Sequence, residues 1–278
     1  MSEQVLITKS KVDDIAKKIV NKAGSEGKKT LEELCELVDT ISPLKNLINN
    51  SRKTYYLFYK YAKDNLNELI KYNDTENATD FSSMFYYCES TEFPMINTSN
   101  GTLFPMMYYY CKWGTSFPQI DTSKGTDLSR IYYGCSATTK LPRLNTDSCV
   151  IISYAFSNCY LIDKIDISLY KIASTSNGTY WCQNCYSLKA LIIRGFAYSN
   201  YVLNSNAFTK CYHILGTTDA TYNPTGAKDG YIYVPRDMIA TLSSATNWST
   251  HAAQFRALED YTKDGTTTGE FDDEKAGI

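Results

Sequence analysis

The chain has 278 residues, 43% of them hydrophobic and 21% charged, with 28 Lys and Arg against 30 Asp and Glu and a pI near 5.8. Charge this close to balance creates no field that draws a chain to nucleic acid or to an anionic membrane, so no nucleic-acid partner is expected. Nowhere is there a run of about 18 apolar residues, so no membrane-spanning helix and no membrane insertion are expected.

Residues 1–50 read as a separate helical module. Val12, Ile15, Ala16, Ile19 and Val20 fall at helical spacing up to Gly24, and Thr30-Leu-Glu-Glu33 is a capping box. It opens a second helix with Leu31, Leu34, Leu37, Val38 and Ile41 on one face, closed by Pro43. Two helices this short need a partner surface. They either cover the end of the following repeats or serve as a docking or oligomerising handle.

Residues 51–226 are dominated by a returning cysteine. Cys88, Cys111, Cys135, Cys159, Cys185 and Cys211 are separated by 23, 24, 24, 26 and 26 residues. An aromatic stands three residues before most of them, and an apolar-Pro run closed by Asn or Asp and Thr follows the first three, as in Phe93-Pro94-Met95-Ile96-Asn97-Thr98. The interval from Thr75, Thr98, Thr122 and Thr146 to the next cysteine is 13 residues each time. Such a period predicts stacked repeats in a solenoid. Phe81, Phe104, Leu128 and Ile152, with Met84, Met107, Ile131 and Ala155, take the inward positions. Each coil should hold one short strand at the apolar run, made irregular by Pro94, Pro118 and Pro142. The nine cysteines read as free thiols, those of the repeats as a packing ladder of small buried hydrophobes.

From Tyr231 the pattern changes to a strand, Tyr231-Ile-Tyr-Val-Pro235, followed by two helical segments, so 227–261 is read as a C-terminal cap. Residues 262–278 are acidic and poor in apolar side chains, which predicts a disordered tail.

The Phe/Tyr-x-x-Cys repeat followed by apolar-Pro-x-Ile/Leu-Asn/Asp-Thr resembles the BspA-like leucine-rich repeat family, found in bacterial surface proteins and in phage and prophage tail proteins. The ending through Asn247-Trp248-Ser249 and the opening helix pair are similar to modules of those proteins. The resemblance spans roughly residues 55–260 and implies an α+β repeat solenoid. Its coils would be leucine-rich-repeat-like, of about 23–26 residues, between a helical N-terminal module and a C-terminal cap. Ser90-Thr91, Trp113-Gly114 and Ala137-Thr138 replace the family's leucine after the cysteine, which implies looser first coils.

Catalytic chemistry finds little support. The two histidines, His213 and His251, lie in no triad or metal motif, and His213 reads as a partly exposed repeat residue. Cys182-Gln-Asn-Cys185 lacks the second pair that zinc would need. No cofactor and no metal are expected. Binding is better supported, because 24 tyrosines concentrate in the first repeats. Tyr86, Tyr109 and Tyr133 are expected to form an outward column, with Trp113 beside it, suited to stacking on a glycan or protein. The competing reading is that these rings lie flat as a boundary layer over the core.

The resulting expectation is a non-enzymatic phage or prophage tail protein, structural and adhesive, that contacts a host-cell surface glycan or protein. It would be a homo-oligomer attached to other virion proteins through residues 1–50. The opening Met-Ser-Glu-Gln-Val lacks a secretory signal, which favours synthesis in the host cytoplasm and a place on the virion. A bacterial cell-surface adhesin, a purely structural decoration and a polysaccharide depolymerase are the alternatives.

Overall fold

Successive repeats are held side by side by backbone hydrogen bonds that alternate along the chain. The computed structural model describes residues 57, 58, 60, 75–169, 171, 179–196 and 203–278; the helical module expected over 1–50 lies outside them. In the repeat ending at Cys88, the N–H groups of Phe81, Ser83, Phe85 and Tyr87 donate to the carbonyls of Leu103, Pro105, Met107 and Tyr109 at 2.7–2.9 Å. Those of Met84, Tyr86 and Cys88 instead close turns onto Phe81, Ser83 and Phe85. The pattern recurs from Phe104 to Ile131 and Tyr133, and from Leu128 to Ala155 and Ser157.

This alternation needs a left-handed residue at two places per repeat. Ser83, Met106, Arg130, Tyr154 and Tyr180 hold the first, and Tyr87, Tyr110, Gly134, Asn158, Asn184 and Lys210 the second, with φ between 52° and 74°. For a non-glycine residue this conformation costs about 1–2 kcal/mol. The cross-repeat hydrogen bond and ring stacking at these positions offset it.

Side chains add further ladders. Thr75, Thr98, Thr122 and Thr146 each donate Oγ1 to a carbonyl of the next repeat, at Asn97, Asp121, Asn145 and Ser168, over 2.7–2.9 Å. The cysteines run the other way. Cys111, Cys135, Cys159 and Cys185 donate Sγ–H to the carbonyls of Phe85, Tyr108, Tyr132 and Phe156 in the preceding repeat at 3.0–3.1 Å. A thiol therefore serves here both as small core filler and as donor, which explains the return of cysteine rather than alanine. Inside, Phe85, Tyr108 and Tyr132 stack at centroid distances of 5.1 and 5.3 Å. Phe81 lies on Phe104 at 5.4 Å. Each such pair adds about 0.5–1.5 kcal/mol beyond burial. The first repeats are not loose. Ser90 and Thr138, which stand near the missing leucines, are buried and donate to the carbonyls of Glu92 and Lys140.

The expected α+β leucine-rich-repeat-like solenoid, with a short strand in every coil, is corrected by this backbone. Regular structure among the described residues is one small four-stranded parallel sheet with few helices. Its strands are β1 (Lys164–Leu169), β2 (Ala190–Phe196), β3 (Tyr231–Val234) and β4 (Phe255–Ala257), in the order β1-β2-β3-β4. Among the described residues three one-turn helices accompany it, α1 (Tyr212–Leu215), α2 (Ile239–Leu242) and α3 (Asp273–Ala276), besides short 3-10 turns. Among the described residues before Lys164 only isolated parallel bridges occur, such as Glu92 with Ser116 and Lys140 with Lys164. Proline is the physical reason. In that register Pro94, Pro118 and Pro142 precede Asp166, Ile192, Tyr233 and Arg256 in one row. A proline there has no N–H for the ladder, so the sheet begins where the prolines end.

Residues 227–261, expected as a cap, contribute β3 and β4 to this sheet, and Leu242, Trp248 and Phe255 join the main core. The tail expected to be disordered is packed. Thr262 and Phe271 form an antiparallel bridge, and Phe271 is buried against Tyr233 at 4.8 Å in a second cluster with Ala190, Ile192 and Leu258. The buried Arg194 grips Asp166 with two hydrogen bonds of 2.6 and 2.7 Å and the carbonyls of Thr267 and Gly269 at 2.8 and 2.7 Å. Lys164 pairs with Asp273. Gly269 has no room for a Cβ because the Asp264 carboxylate occupies the space. One arginine and one phenylalanine thus anchor a segment whose composition alone reads as unfolded.

Candidate functional site

The turn that ends each repeat decides where its tyrosines go. The residue three before the cysteine is buried in the core, and the residue one before it is left-handed. The residue between them is thereby turned toward the surface. Tyr86, Tyr109 and Tyr133 occupy that position and are half-buried. Their rings stack face to face, Tyr86 on Tyr109 at 4.7 Å and 9°, Tyr109 on Tyr133 at 5.0 Å and 10°. The structure therefore brings together the three tyrosines expected from the sequence. The rings face one another across the repeats, so they stand as a stack and do not lie flat over the core as the competing reading expected.

A second file, not anticipated from sequence, runs beside the first. Tyr87, 38% exposed, stacks on Tyr110 at 5.1 Å and 6°, and Tyr87 also meets Tyr86 and Tyr109 at 4.9 and 5.9 Å. This file stops at Gly134, whose φ is +74° and where a Cβ would sit 3.2 Å from the Tyr110 ring. Tyr110 instead leans toward Tyr133 at 5.4 Å and 52°. The aromatic surface continues through Tyr154, which lies 6.3 Å from Tyr133 and carries the Arg130 guanidinium at 4.9 Å. The signal was present in the sequence as the doublets Tyr86-Tyr87 and Tyr109-Tyr110.

Trp113 is 53% exposed, with Lys112 Nζ at 5.0 Å from its ring. No ring contact joins it to Tyr86, Tyr109 or Tyr133 among the described residues, so the structure does not place it in the strip.

The chemistry of the strip is that of neutral phenols. Burial and then the neighbouring phenol of Tyr86 push Tyr109 up to about 12, and burial raises Tyr133. At neutral pH both stay protonated, giving hydroxyl donors along the edge of the stack. Elsewhere reactive groups are engaged. Burial holds the thiols of Cys111, Cys135, Cys182 and Cys185 well above the ordinary range. Cys182 donates to the carbonyl of Ala207 at 3.0 Å, so the Cys182–Cys185 pair is part of the ladder. His213 is buried, not partly exposed as expected, and its Nδ1 lies 2.6 Å from Asp229 Oδ1. His251 packs on Phe208 at 4.7 Å, and burial lowers it to about 4. Among the described residues no group of three or more His, Cys, Asp or Glu side chains is placed to hold a metal ion.

No curated protein and no solved structure shows significant similarity to the chain. One family model, described as "Mycoplasma protein of unknown function, DUF285", matches residues 49–136 and 106–217. Together these stretches cover more than half of the sequence, including every cysteine of the repeat ladder and the whole tyrosine strip. The chain belongs to the DUF285 family.

Proposed function

We propose that the chain is a non-enzymatic adhesion protein that contacts a cell-surface glycan or protein through the strip formed by Tyr86, Tyr109 and Tyr133 with Tyr87 and Tyr110. The observation that carries this reading is the run of stacked, half-exposed rings at 4.7–5.0 Å. Rigid stacked tyrosines offer a row of ring edges and hydroxyls, with little side-chain entropy left to lose on binding. The finer kinship with BspA-like leucine-rich repeats, and with it a place in a phage or prophage tail, rests on the repeat wording alone. If several copies are displayed together, weak single contacts suffice through avidity.

The test is binding of the fluorescently labelled full chain to whole cells of candidate bacterial hosts, beside a variant carrying Tyr86→Ala, Tyr109→Ala and Tyr133→Ala whose fold is verified by circular dichroism. Binding by the parent and its loss in the variant is the expected result. Absence of binding, even after artificial multimerisation, would overturn the adhesion reading and leave an assembly component.

A further inference from the structure

Two cysteines depart from the ladder in a way that brings their sulfurs together. The slot three residues before the ladder cysteine holds a ring in the other described copies, at Phe85, Tyr108, Tyr132, Phe156 and Phe208. In the copy that ends at Cys185 the slot holds Cys182. Ladder thiols reach back, and each donates to the carbonyl of the slot residue one copy earlier. Cys211 follows this rule, so its Sγ–H reaches the carbonyl of Cys182 at 3.0 Å. Cys182 breaks it, because its Sγ–H reaches forward to the carbonyl of Ala207 at 3.0 Å, in the copy that ends at Cys211.

The two thiols therefore enter one interface between copies from opposite sides, and they are close enough for a side-chain hydrogen bond to each other. Between successive ladder thiols no such bond is found among the described residues, since those thiols all reach the same way and stay one copy apart. The pair nearer in sequence, Cys182 and Cys185, is held apart by direction: one sulfur reaches forward to Ala207 and the other back to Phe156. A disulfide sets its sulfurs about 2 Å apart. Thiols already in hydrogen-bond contact need only a small approach to bridge.

We infer that Cys182 and Cys211 join in a disulfide when the chain meets an oxidising medium that contains a small-molecule disulfide such as oxidised glutathione. The Cys211 thiolate attacks one sulfur of that reagent and expels one thiolate; the Cys182 thiolate then attacks Cys211 Sγ and expels the second. Each expelled thiolate takes up one of the two protons given by the cysteines. One protein S–S bond thus replaces the small one, two electrons pass from the protein to the reagent, and two small thiols are released. Exchange takes place while these copies are locally open, because both cysteines are fully buried once packed. The bridge encloses β2, the second strand of the sheet, and ties its copy to the next. It stands on the ladder and not on the tyrosine strip, so it holds or fails independently of the adhesion reading.

The experiment equilibrates the folded full chain in mixtures of reduced and oxidised glutathione, quenches it in acid, then unfolds and alkylates it without reductant. In the oxidising mixtures two of the nine cysteines should escape alkylation. A non-reduced tryptic map should join the peptide ending at Lys189 to the one holding Cys211, with fragmentation placing the bridge on Cys182 and leaving Cys185 alkylated. Cys182→Ser and Cys211→Ser should each be alkylated at every remaining cysteine, whereas Cys185→Ser should still bridge. A serine hydroxyl donates to the same carbonyls as the thiol it replaces, which favours retention of the fold, and the fragmented map of the parent decides the matter if a variant unfolds. The bridge is refuted if all nine cysteines are alkylated in every mixture, if glutathione stays attached with no link within the chain, or if a different pair is joined.

Discussion

The region from Thr75 to Asp163 and the region from Lys164 onward solve one problem, the registration of successive repeats, with different backbones. In the first, prolines at 94, 118 and 142 deny the ladder a donor, and the chain registers through paired turns, threonine hydroxyls and thiols. In the second the same row carries Asp166, Ile192, Tyr233 and Arg256, and a parallel sheet forms. A second difference follows. The sheet can bury its outer face, and the C-terminal segment covers it with Phe271. In the turn-built region the tyrosine strip stands on the turn before each cysteine, a different limb of the repeat from the proline row. The comparison teaches that a change at a single residue position in the repeat accompanies the change from a turn-built ladder to a strand.

The largest effect expected is alkaline. The ladder thiols are protonated in the folded state, and burial raises Cys88 to about 11 and Cys159 to about 12 from an ordinary value of 9.0. An acid whose folded value is raised contributes stability that is complete below its unfolded value and is lost as pH climbs toward the folded one. Urea midpoints should therefore hold up to about pH 9 and fall steeply above it. A flat profile to pH 11 would mean that the thiols are not shielded. Next comes the sheet's own fastening. Arg194→Ala leaves the carboxylate of Asp166 with only Arg143, at 3.8 Å, and frees the carbonyls of Thr267 and Gly269. The loss should be about 3–5 kcal/mol, and limited proteolysis should remove residues 262–278 first. If that segment stays protected, Phe271 holds it without the arginine.

A smaller effect probes the cause of the division. Replacing Pro118 by Thr returns a donor to the row at a cost of about 0.4–1 kcal/mol from the freer unfolded chain. Amide exchange at the new position should be slow if proline alone keeps the strand from forming, and fast if the left-handed turns already forbid it. Of similar size but opposite sign is Tyr132→Phe. Its hydroxyl is fully buried with no partner, so the change should raise stability by about 1 kcal/mol, read as a higher urea midpoint. A fall would reveal a donor role toward the neighbouring thiols.

Much of this arrangement was legible in the sequence. The 13-residue spacing placed Phe81, Phe104, Leu128 and Ile152 in the core, where all four are fully buried, and the recurrent aromatics placed the strip. The backbone was not legible, for a physical reason. Tyr87, Tyr110 and Arg130 have no intrinsic preference for positive φ; the carbonyls of the neighbouring repeat impose it. A strand per coil was therefore the natural but mistaken inference from an apolar run. The ordered tail was hidden likewise, since Arg194 reaches carbonyls 73 and 75 residues away and composition carries no trace of such a grip. Tyr160, Tyr186 and Tyr212 form a further stack, visible in the sequence as a tyrosine after each of three cysteines.

The opposed directions of the two side-chain ladders have a bearing on how such a chain changes length. Threonine hydroxyls reach forward to the following copy and thiols reach back to the preceding one. The copies between Thr98 and Cys159 thus give and receive on both flanks in the same way, and excising residues 104–127 would rejoin Leu103 to Leu128 with each donor meeting an equivalent acceptor. The array is a ruler graduated in single copies. Gene duplication or deletion in steps of 24 codons lengthens or shortens it while leaving the sheet and its fastening untouched.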